Sequence, residues 1–471
     1  SYITNKTGAL KIATETSGIA LTIGHTTSEV TVADNLTITG TTVGTSFDLN
    51  GTADGLILDT DGDTTISSPT DDQIDIEIAG ADDFKFTANT FTAISGSDIV
   101  HADTGSVRNR PNVNPLFING DMQIAQHATS VSGIGNTDDG YHTIDRWKWA
   151  ESGTTSAVFT MSQDTDVPSG QGFTKSLKLD CTTADTGIAT TETIRIEQSI
   201  EGQNLQLLKK GTANAETVTL AFWVRSTKTG TYIVGFTDED NSRIISKAYT
   251  IDSGDTWEKK ILTFAGDTTD PFDNDNAASL RPSWLLAAGS SLQSGSLADA
   301  WQDYANANVA AGQVNFADST SNNFYLTGVQ LEVGTYTSST LPPFQHESYG
   351  ANLARCERYF QVIAKKRGSS YENELMPALN HASNKLFGVH NFRTEMREPP
   401  TLSAASGTGY FRHYRNDGYD DFNSLLMDKS SVHSCTLYNE SEISGTAGHA
   451  GWIRITNSTP DDSLVSLSAE L

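Results

Sequence analysis

Short runs in which apolar and polar residues alternate, separated by turn-forming residues, dominate this sequence. Ile74, Ile76 and Ile78 alternate with Asp75 and Glu77, a spacing of two that places the isoleucines on one face of a β-strand. The same period recurs in LKIA, IALTIG, VTVADNLTITG, GLILDTDG, ETVTLAFWVRST and GWIRITN, while Thr, Ser, Gly, Asn and Asp fill the intervals. The pattern therefore predicts an all-β chain.

The size of the side chains in these runs changes along the chain, and this change divides the chain into four segments. At 471 residues the chain is too long for one core and suits about two to four domains. Residues 1–110 carry thin strands and residues 111–345 bulkier ones; residues 346–365 contain a linker and a helix, and residues 366–471 are again β-rich. We expect an N-terminal shaft or anchor, a central jelly roll or β-sandwich, a short helix and a C-terminal tip domain.

The N-terminal segment contains few bulky side chains. Its aromatic residues are Tyr2, Phe47, Phe84, Phe86 and Phe91. A single copy buries little apolar area, at roughly 25 cal/mol per Å², against an ordering entropy of about 1 to 2 kcal/mol per residue. We therefore expect three chains to pack these strands around a common axis as a homotrimer.

About ten predicted strands with no helical period between them indicate a two-sheet sandwich or jelly roll in residues 111–345. Trp147 and Trp149 lie two residues apart on one of these strands. They could stack on sugar rings if their face pointed outward. A core position is favoured because large aromatic side chains dominate sandwich interiors.

One helix is predicted after Pro342 and Pro343. Leu353, Cys356, Phe360 and Ile363 fall at i, i+3, i+7 and i+10, an apolar stripe on a helix of about four turns that Ser348 could cap. A helix this short is marginal alone, so we expect it to pack at or near the three-fold axis.

Charge and cysteine usage narrow the function classes. The net charge of −27 repels a phosphate backbone, so no nucleic acid partner is expected. No run approaches the roughly 20 apolar residues of a membrane span, and SYITNKTGAL lacks the features of a signal peptide; Ser1 is taken to follow an initiator Met. The 3 cysteines are widely spaced and odd in number, which predicts free thiols and synthesis in a reducing cytoplasm.

A calcium-like spacing occurs near residue 60. Asp59, Asp61 and Asp63 match the alternate carboxylates of a calcium loop, but Thr64 and Thr70 stand where that loop needs Gly and Glu. A solvated acidic turn is favoured, and a structural Ca²⁺ remains the alternative. No other cofactor is predicted.

The stretch GTGYFRHYRNDGYDDF, residues 407–422, is the main candidate for recognition. As a strand it places Tyr410, Arg412 and Tyr414 on one face, ahead of a turn rich in Asn and Asp. Aromatic rings, carboxylates and guanidinium groups are what glycan binding requires. A trimer interface or a half-buried strand is an equal alternative. The candidate receptor-binding residues are Tyr410, Arg412, Tyr414, Arg415, Asp417 and Tyr419.

Several sequence segments follow one another in the same order as in one class of viral proteins. ALKIATETSGIALTIGHTTSEVTVADNLTITG, DGLILDTDGDTTISSPTDDQ, NPLFINGDMQIAQ, AFWVRSTKTGTY, FYLTGVQLEVG, PFQHESYGANLARCERYF and LSAEL resemble segments of tail fibres of tailed bacteriophages, especially marine ones. The resemblance covers most of the chain up to residue 363, includes a jelly roll like a carbohydrate-binding module, and is weaker over residues 366–455.

The resemblance implies a trimeric virion fibre that attaches to the host surface. Its partners would be other virion proteins at the N-terminus and a host surface glycan or protein receptor at the tip. A head fibre or capsid decoration protein is the first alternative. A tailspike that cleaves glycans is the second; no Ser nucleophile elbow or metal-spaced His pair is present, and we expect no enzymatic activity.

Overall fold

A computed structural model describes residues 56–93, with gaps at 59, 61–62, 71 and 89, the pairs 100–101 and 105–106, and residues 115–366 and 373–471. The chain divides into two compact units, residues 1–107 and 108–471. No helix within the described ranges is long and apolar enough to cross a membrane. The all-β fold class is confirmed.

The first unit contains a five-stranded antiparallel sheet in the order β1-β2-β3-β4-β5. A further short pair of strands follows it. The strands are β1 Leu56–Ile57, β2 Thr65–Ser67, β3 Gln73–Ile78, β4 Ala81–Thr87, β5 Thr90–Ala93, β6 Val100–His101 and β7 Gly105–Ser106.

The second unit begins with a β-sandwich. Its strands are β8 Ser130–Ile134, β9 Gly140–Tyr141, β10 Lys148–Ser152, β11 Val158–Asp164, β12 Ser176–Thr183, β13 Thr193–Glu197, β14 Ile200–Glu201, β15 Val218–Ser226, β16 Gly230–Asp238, β17 Arg243–Ile251, β18 Glu258–Phe264, β19 Ala278–Ala288, β20 Gln302–Asp303 and β21 Asn323–Val333. One sheet has the order β20-β17-β16-β19-β13-β10-β9, with β14 on β19, and the other β18-β15-β21-β12-β11-β8. A one-turn helix, α1 Ser290–Gln293, follows β19.

The inner faces of the two sheets form one core, because alternate residues of each strand point inward. On β15, Leu220, Phe222 and Val224 are fully buried. Trp147 and Trp149 are fully buried in the same cluster, which confirms their core position. They therefore offer no surface to a sugar.

The remaining elements follow the sandwich. They are α2 Tyr349–Glu357, β22 Phe360–Lys365, β23 Asn373–Ala382, β24 Lys385–Asn391, β25 Thr401–Ala404, β26 Phe411–Arg415, β27 Gly418–Phe422, β28 Leu426–Asp428, β29 Ser434–Asn439, β30 Ala450–Ile455 and β31 Leu464–Ser468. A seven-stranded sheet has the order β27-β26-β30-β23-β24-β29-β28, and a three-stranded sheet the order β22-β31-β25. The predicted domain boundaries at residues 345 and 365 stay predictions, because they concern which segments fold independently.

The predicted four-turn helix is wrong in length. Helix α2 begins after Ser348, whose Oγ accepts a hydrogen bond from the Ala351 N–H, and it ends at Glu357. Phe360 and Ile363 lie on β22, which pairs with β31. The aromatic and β-branched residues of this stretch favour a strand once a partner strand is available.

The apolar stripe of α2 packs against its own chain. Cys356 is buried beside Ile118, Ile124 and Tyr359, with Leu353 packed on the same cluster. The stripe is thus largely covered without a second copy, and the helix no longer supports a position on a three-fold axis.

Buried charges tie the C-terminal residues to the sandwich. The fully buried Arg146 guanidinium forms an ion pair with Glu470, lies 3.5 Å from the Tyr359 ring centroid and donates to the Ser199 carbonyl at 2.8 Å. Arg358 Nε donates to Glu201 Oε1 at 2.7 Å. These contacts fix the end of the chain against the β-sandwich.

Candidate functional site

A tight hairpin carries most of the predicted recognition residues. Strands β26 and β27 are joined by Asn416 and Asp417, which have φ values of 46° and 58°. Two consecutive residues with positive φ define a two-residue hairpin turn, a conformation that Asn and Asp tolerate better than other residues with a Cβ atom. The register places Tyr414 opposite Tyr419 and Arg412 opposite Asp421.

Strand β30 adds two side chains to the same outer face. Trp452 lies opposite Tyr414, and Arg454 lies opposite Arg412. The Tyr414 and Trp452 rings stack at 6.2 Å with an interplanar angle of 20°, and Tyr419 lies 5.7 Å from Tyr414. Tyr419 is 59% exposed and Trp452 44% exposed, so two large aromatic surfaces face solvent.

The apolar row continues across the remaining strands. Leu379 lies opposite Phe387, Phe387 opposite Tyr438, and Tyr438 opposite Leu426. The Phe387 and Tyr438 rings stack at 5.5 Å. We call the whole row the aromatic band; its members are Tyr419, Tyr414, Trp452, Leu379, Phe387, Tyr438 and Leu426.

A row of charges borders one end of the aromatic band. Arg412 Nε donates to Asp421 Oδ1 at 2.6 Å, and Arg454 donates to Glu374 Oε1 at 3.0 Å. The Arg412 guanidinium lies 3.9 Å from the Tyr419 ring centroid, and that of Arg454 lies 4.5 Å from Tyr414. Cation–π contacts and ion pairs therefore hold the rings in place, and the two arginines balance the two carboxylates.

The other predicted residues do not join the aromatic band. Tyr410 precedes β26 and packs against the core beneath the sheet, and its carbonyl accepts from the Thr456 N–H at 2.9 Å. Arg415 donates to the Ser444 carbonyl and lies 3.7 Å from Asp420. Asp417 is exposed in the hairpin turn.

The predicted turn is also shorter than expected, because Asp420 and Asp421 lie on the returning strand. Sequence reasoning missed Trp452 and Arg454 as neighbours of Tyr414, and it missed Phe387 and Tyr438 as further members of the aromatic band. They lie on strands distant in sequence, and only the sheet order brings them together. The alternation in GWIRITN and NKLFGVHNF indicates which residues share a face, but not which strands are neighbours.

A concave surface lies on the outer face of the larger sandwich sheet. It is a cavity of about 250 Å³ between β13, β16, β17, β19 and the segment after α1. Thr193, Thr237 and Ser283 line it, together with Ser246, whose fully buried Oγ has no hydrogen-bond partner among the described residues. Among the described residues that line this cavity, none carries a carboxylate.

The structure describes one of the three predicted calcium ligands. Asp63 is half-buried, and Asp59 and Asp61 lie outside the described residues. Within the described ranges, no three acidic, His or Cys side chains are arranged to hold a metal ion.

No family model and no curated protein match the chain. The solved enzymatically active domain of tailspike protein 4 of bacteriophage CBA120 overlaps 46% of this chain and 21% of its own, at 15% identity and a TM-score of 0.26. This chain thus spans about a fifth of that structure.

Smaller solved proteins overlap over nearly their whole length. The family 11 carbohydrate-binding module of Clostridium thermocellum Lic26A-Cel5E overlaps 42% of this chain and 95% of its own, at 10% identity and a TM-score of 0.22. A putative sugar binding protein from Bacteroides thetaiotaomicron overlaps 47% and 100%, at 9% identity and 0.25. Overlaps at these TM-scores define neither a family nor a ligand for this chain.

Proposed function

We propose that this chain is a homotrimeric tail fibre of a tailed bacteriophage that attaches to a host surface glycan through the aromatic band. The observation that carries the proposal is the row of rings across the seven-stranded sheet, of which Tyr419 and Trp452 are exposed, bordered by paired charges. The N-terminal segment would join other virion proteins, in keeping with the phrases that resemble tail fibres.

The chemistry of the aromatic band fits a sugar better than an ion. A pyranose ring presents C–H groups to an aromatic face and hydroxyl groups at its edge. Tyr419 and Trp452 offer the faces, while Arg412 and Asp421 offer donors and acceptors at the border. The rings are held by neighbouring contacts before a ligand arrives, so little ordering entropy is lost on binding.

Charge favours a ligand that carries little net charge at this site. Each arginine beside the aromatic band already has a carboxylate partner, Asp421 for Arg412 and Glu374 for Arg454. A phosphate or carboxylate ligand would have to compete with these partners. A neutral stretch of glycan meets no such competition.

The test compares two exposed tyrosines in the full-length protein. Tyr419→Ala removes an aromatic surface from the band, whereas Tyr349→Ala removes an equally exposed one on α2, where Tyr349 is 63% exposed. Loss of one contact aromatic costs about 1 to 2 kcal/mol, so we expect roughly 5- to 30-fold weaker binding of polysaccharide extracted from the host surface. Tyr349→Ala should bind like the unmodified protein.

Two results would contradict the proposal. Equal binding by Tyr419→Ala and Tyr349→Ala would show that the aromatic band does not bind the glycan. The cavity on the sandwich sheet would then be the next candidate site. A changed oligomeric mass for Tyr419→Ala would identify this face as an interface between copies.

The same incubation distinguishes an adhesin from a tailspike. We expect no new reducing ends when the protein is incubated with host polysaccharide. Labelling the protein on intact virions would separate a tail fibre from a head fibre.

A further inference from the structure

The five-stranded sheet of the first unit has one face made entirely of apolar side chains. Ile74 lies opposite Phe86 and Ile76 opposite Phe84, and Phe86 lies opposite Phe91. We call this surface the apolar face; its members are Leu56, Ile66, Ile74, Ile76, Ile78, Phe84, Phe86 and Phe91.

The burial of this sheet is inverted relative to an ordinary domain. Ile74 and Ile78 are each 49% exposed and Phe91 is 48% exposed. The buried residues among those described in this unit are Thr65 and Asp75, both polar. A sheet normally buries its apolar face against a second layer, and no described residue of the unit supplies that layer.

The size of the apolar face is that of a functional surface patch. Its strands have 2, 3, 6, 7 and 4 residues, which at about 3.4 Å per residue and about 4.8 Å between strands gives a surface on the order of 360 Å². The largest apolar patch that a monomer exposes is about 300 to 600 Å² and is often functional.

The charge distribution favours a copy of the same chain as the partner. Each copy has a net charge of −27, so copies repel each other at long range and an interface between them must be free of like charges. The apolar face has no ionisable side chain, whereas Asp75, Glu77 and Lys85 lie on the opposite side of the sheet. The surface is therefore self-complementary.

We propose that the apolar face packs against the same face of further copies, so that the core of residues 56–93 forms between chains. This inference deepens the proposed homotrimer by naming its interface, and it does not depend on glycan binding. It also replaces α2, whose stripe is covered by its own chain, as the source of assembly.

Crosslinking tests the contact without disrupting it. Ile74→Cys places a thiol on the apolar face, and Thr87→Cys places one on the other side of the neighbouring strand, opposite Gln73. The native cysteines, Cys181, Cys356 and Cys435, are all buried and should not react. A short bis-maleimide should link Ile74→Cys chains into dimers in denaturing electrophoresis and leave Thr87→Cys monomeric.

A second pair of variants tests the energetic role of the face. Phe86→Asp with Phe91→Asp should lower the mass by light scattering from three chains to one. Thr87→Asp with Thr92→Asp, on the same two strands but the other face, should keep the mass of three chains.

The outcomes separate this interface from the rest of the proposed function. A monomeric mass for the unmodified protein would overturn both the trimer and the interface. A trimeric mass without Ile74→Cys crosslinks would overturn the interface alone. Glycan binding is measured separately on the same samples.

Discussion

Removing Glu470 should test how firmly the C-terminal residues are held. The Arg146 guanidinium is fully buried, and Glu470 is its ion-pair partner. Glu470→Ala leaves that charge in the interior with the Ser199 carbonyl and the Tyr359 ring as its neighbours. Loss of one partner of a buried pair costs about 3 to 5 kcal/mol.

This cost converts into a measurable change in melting temperature. The second unit spans 364 residues, from 108 to 471, as 471 − 107. At about 2.1 cal/mol/K per residue, its unfolding entropy is about 0.8 kcal/mol/K, so the expected decrease in Tm is about 4 to 7 °C. Differential scanning calorimetry at neutral pH would measure it.

Two controls decide the interpretation. Glu440→Ala breaks the exposed pair with Lys385, whose side chains are 54% and 39% exposed, and should shift Tm by less than about 1 °C. Arg146→Met with Glu470→Leu removes both buried charges and should restore most of the loss. A Glu470→Ala shift no larger than that of Glu440→Ala would refute the reasoning.

Two further predictions concern buried titratable groups. Burial, with a smaller contribution from Arg415, lowers the pKa of the fully buried His413 to about 4 from its usual 6.5. Its stabilising contribution is therefore complete above about pH 6.5 and is lost as the pH falls toward 4, so His413→Leu should flatten the decrease in Tm over that range. Burial raises the pKa of Asp145 to about 6, so this residue makes the protein less stable as the pH rises from about 4 to 6. The quantity to compare is therefore the difference in Tm between the His413→Leu variant and the unmodified protein at each pH. The buried Cys181 and Cys435 have pKa values that burial raises to about 11, so native protein should not react with a thiol reagent, and all 3 cysteines should react after denaturation; thiols that react in the native protein would contradict the burial.

The sequence predicts the individual strands better than it predicts which strands pair with each other. Alternation in ETVTLAFWVRST correctly places Leu220 and Phe222 inside the sandwich, because a period of two is set by the backbone of a single strand. The stripe from Leu353 to Ile363 misleads, because its spacing crosses from a helix into a strand. Periodicity alone does not mark where one element ends.

In the candidate site, too, the sequence predicts local structure but not the pairing of distant strands. Tyr414 and Tyr419 face each other because of a local hairpin, so the sequence alone identifies this pair as candidates. Trp452 joins them through the pairing of β26 with β30, which are separated by three strands in the chain. Such non-local pairing depends on the packing of the whole core.

The aromatic band has a consequence for how such a protein changes over generations. Its side chains lie on the outer face of a sheet whose inner face, with Leu386, Leu437 and Ile453, forms the core. A substitution at Tyr419 or Trp452 thus alters the surface without altering the residues that hold the strands together. Under the proposed function, single mutations at these positions change the ligand preference with no compensating change elsewhere in the chain.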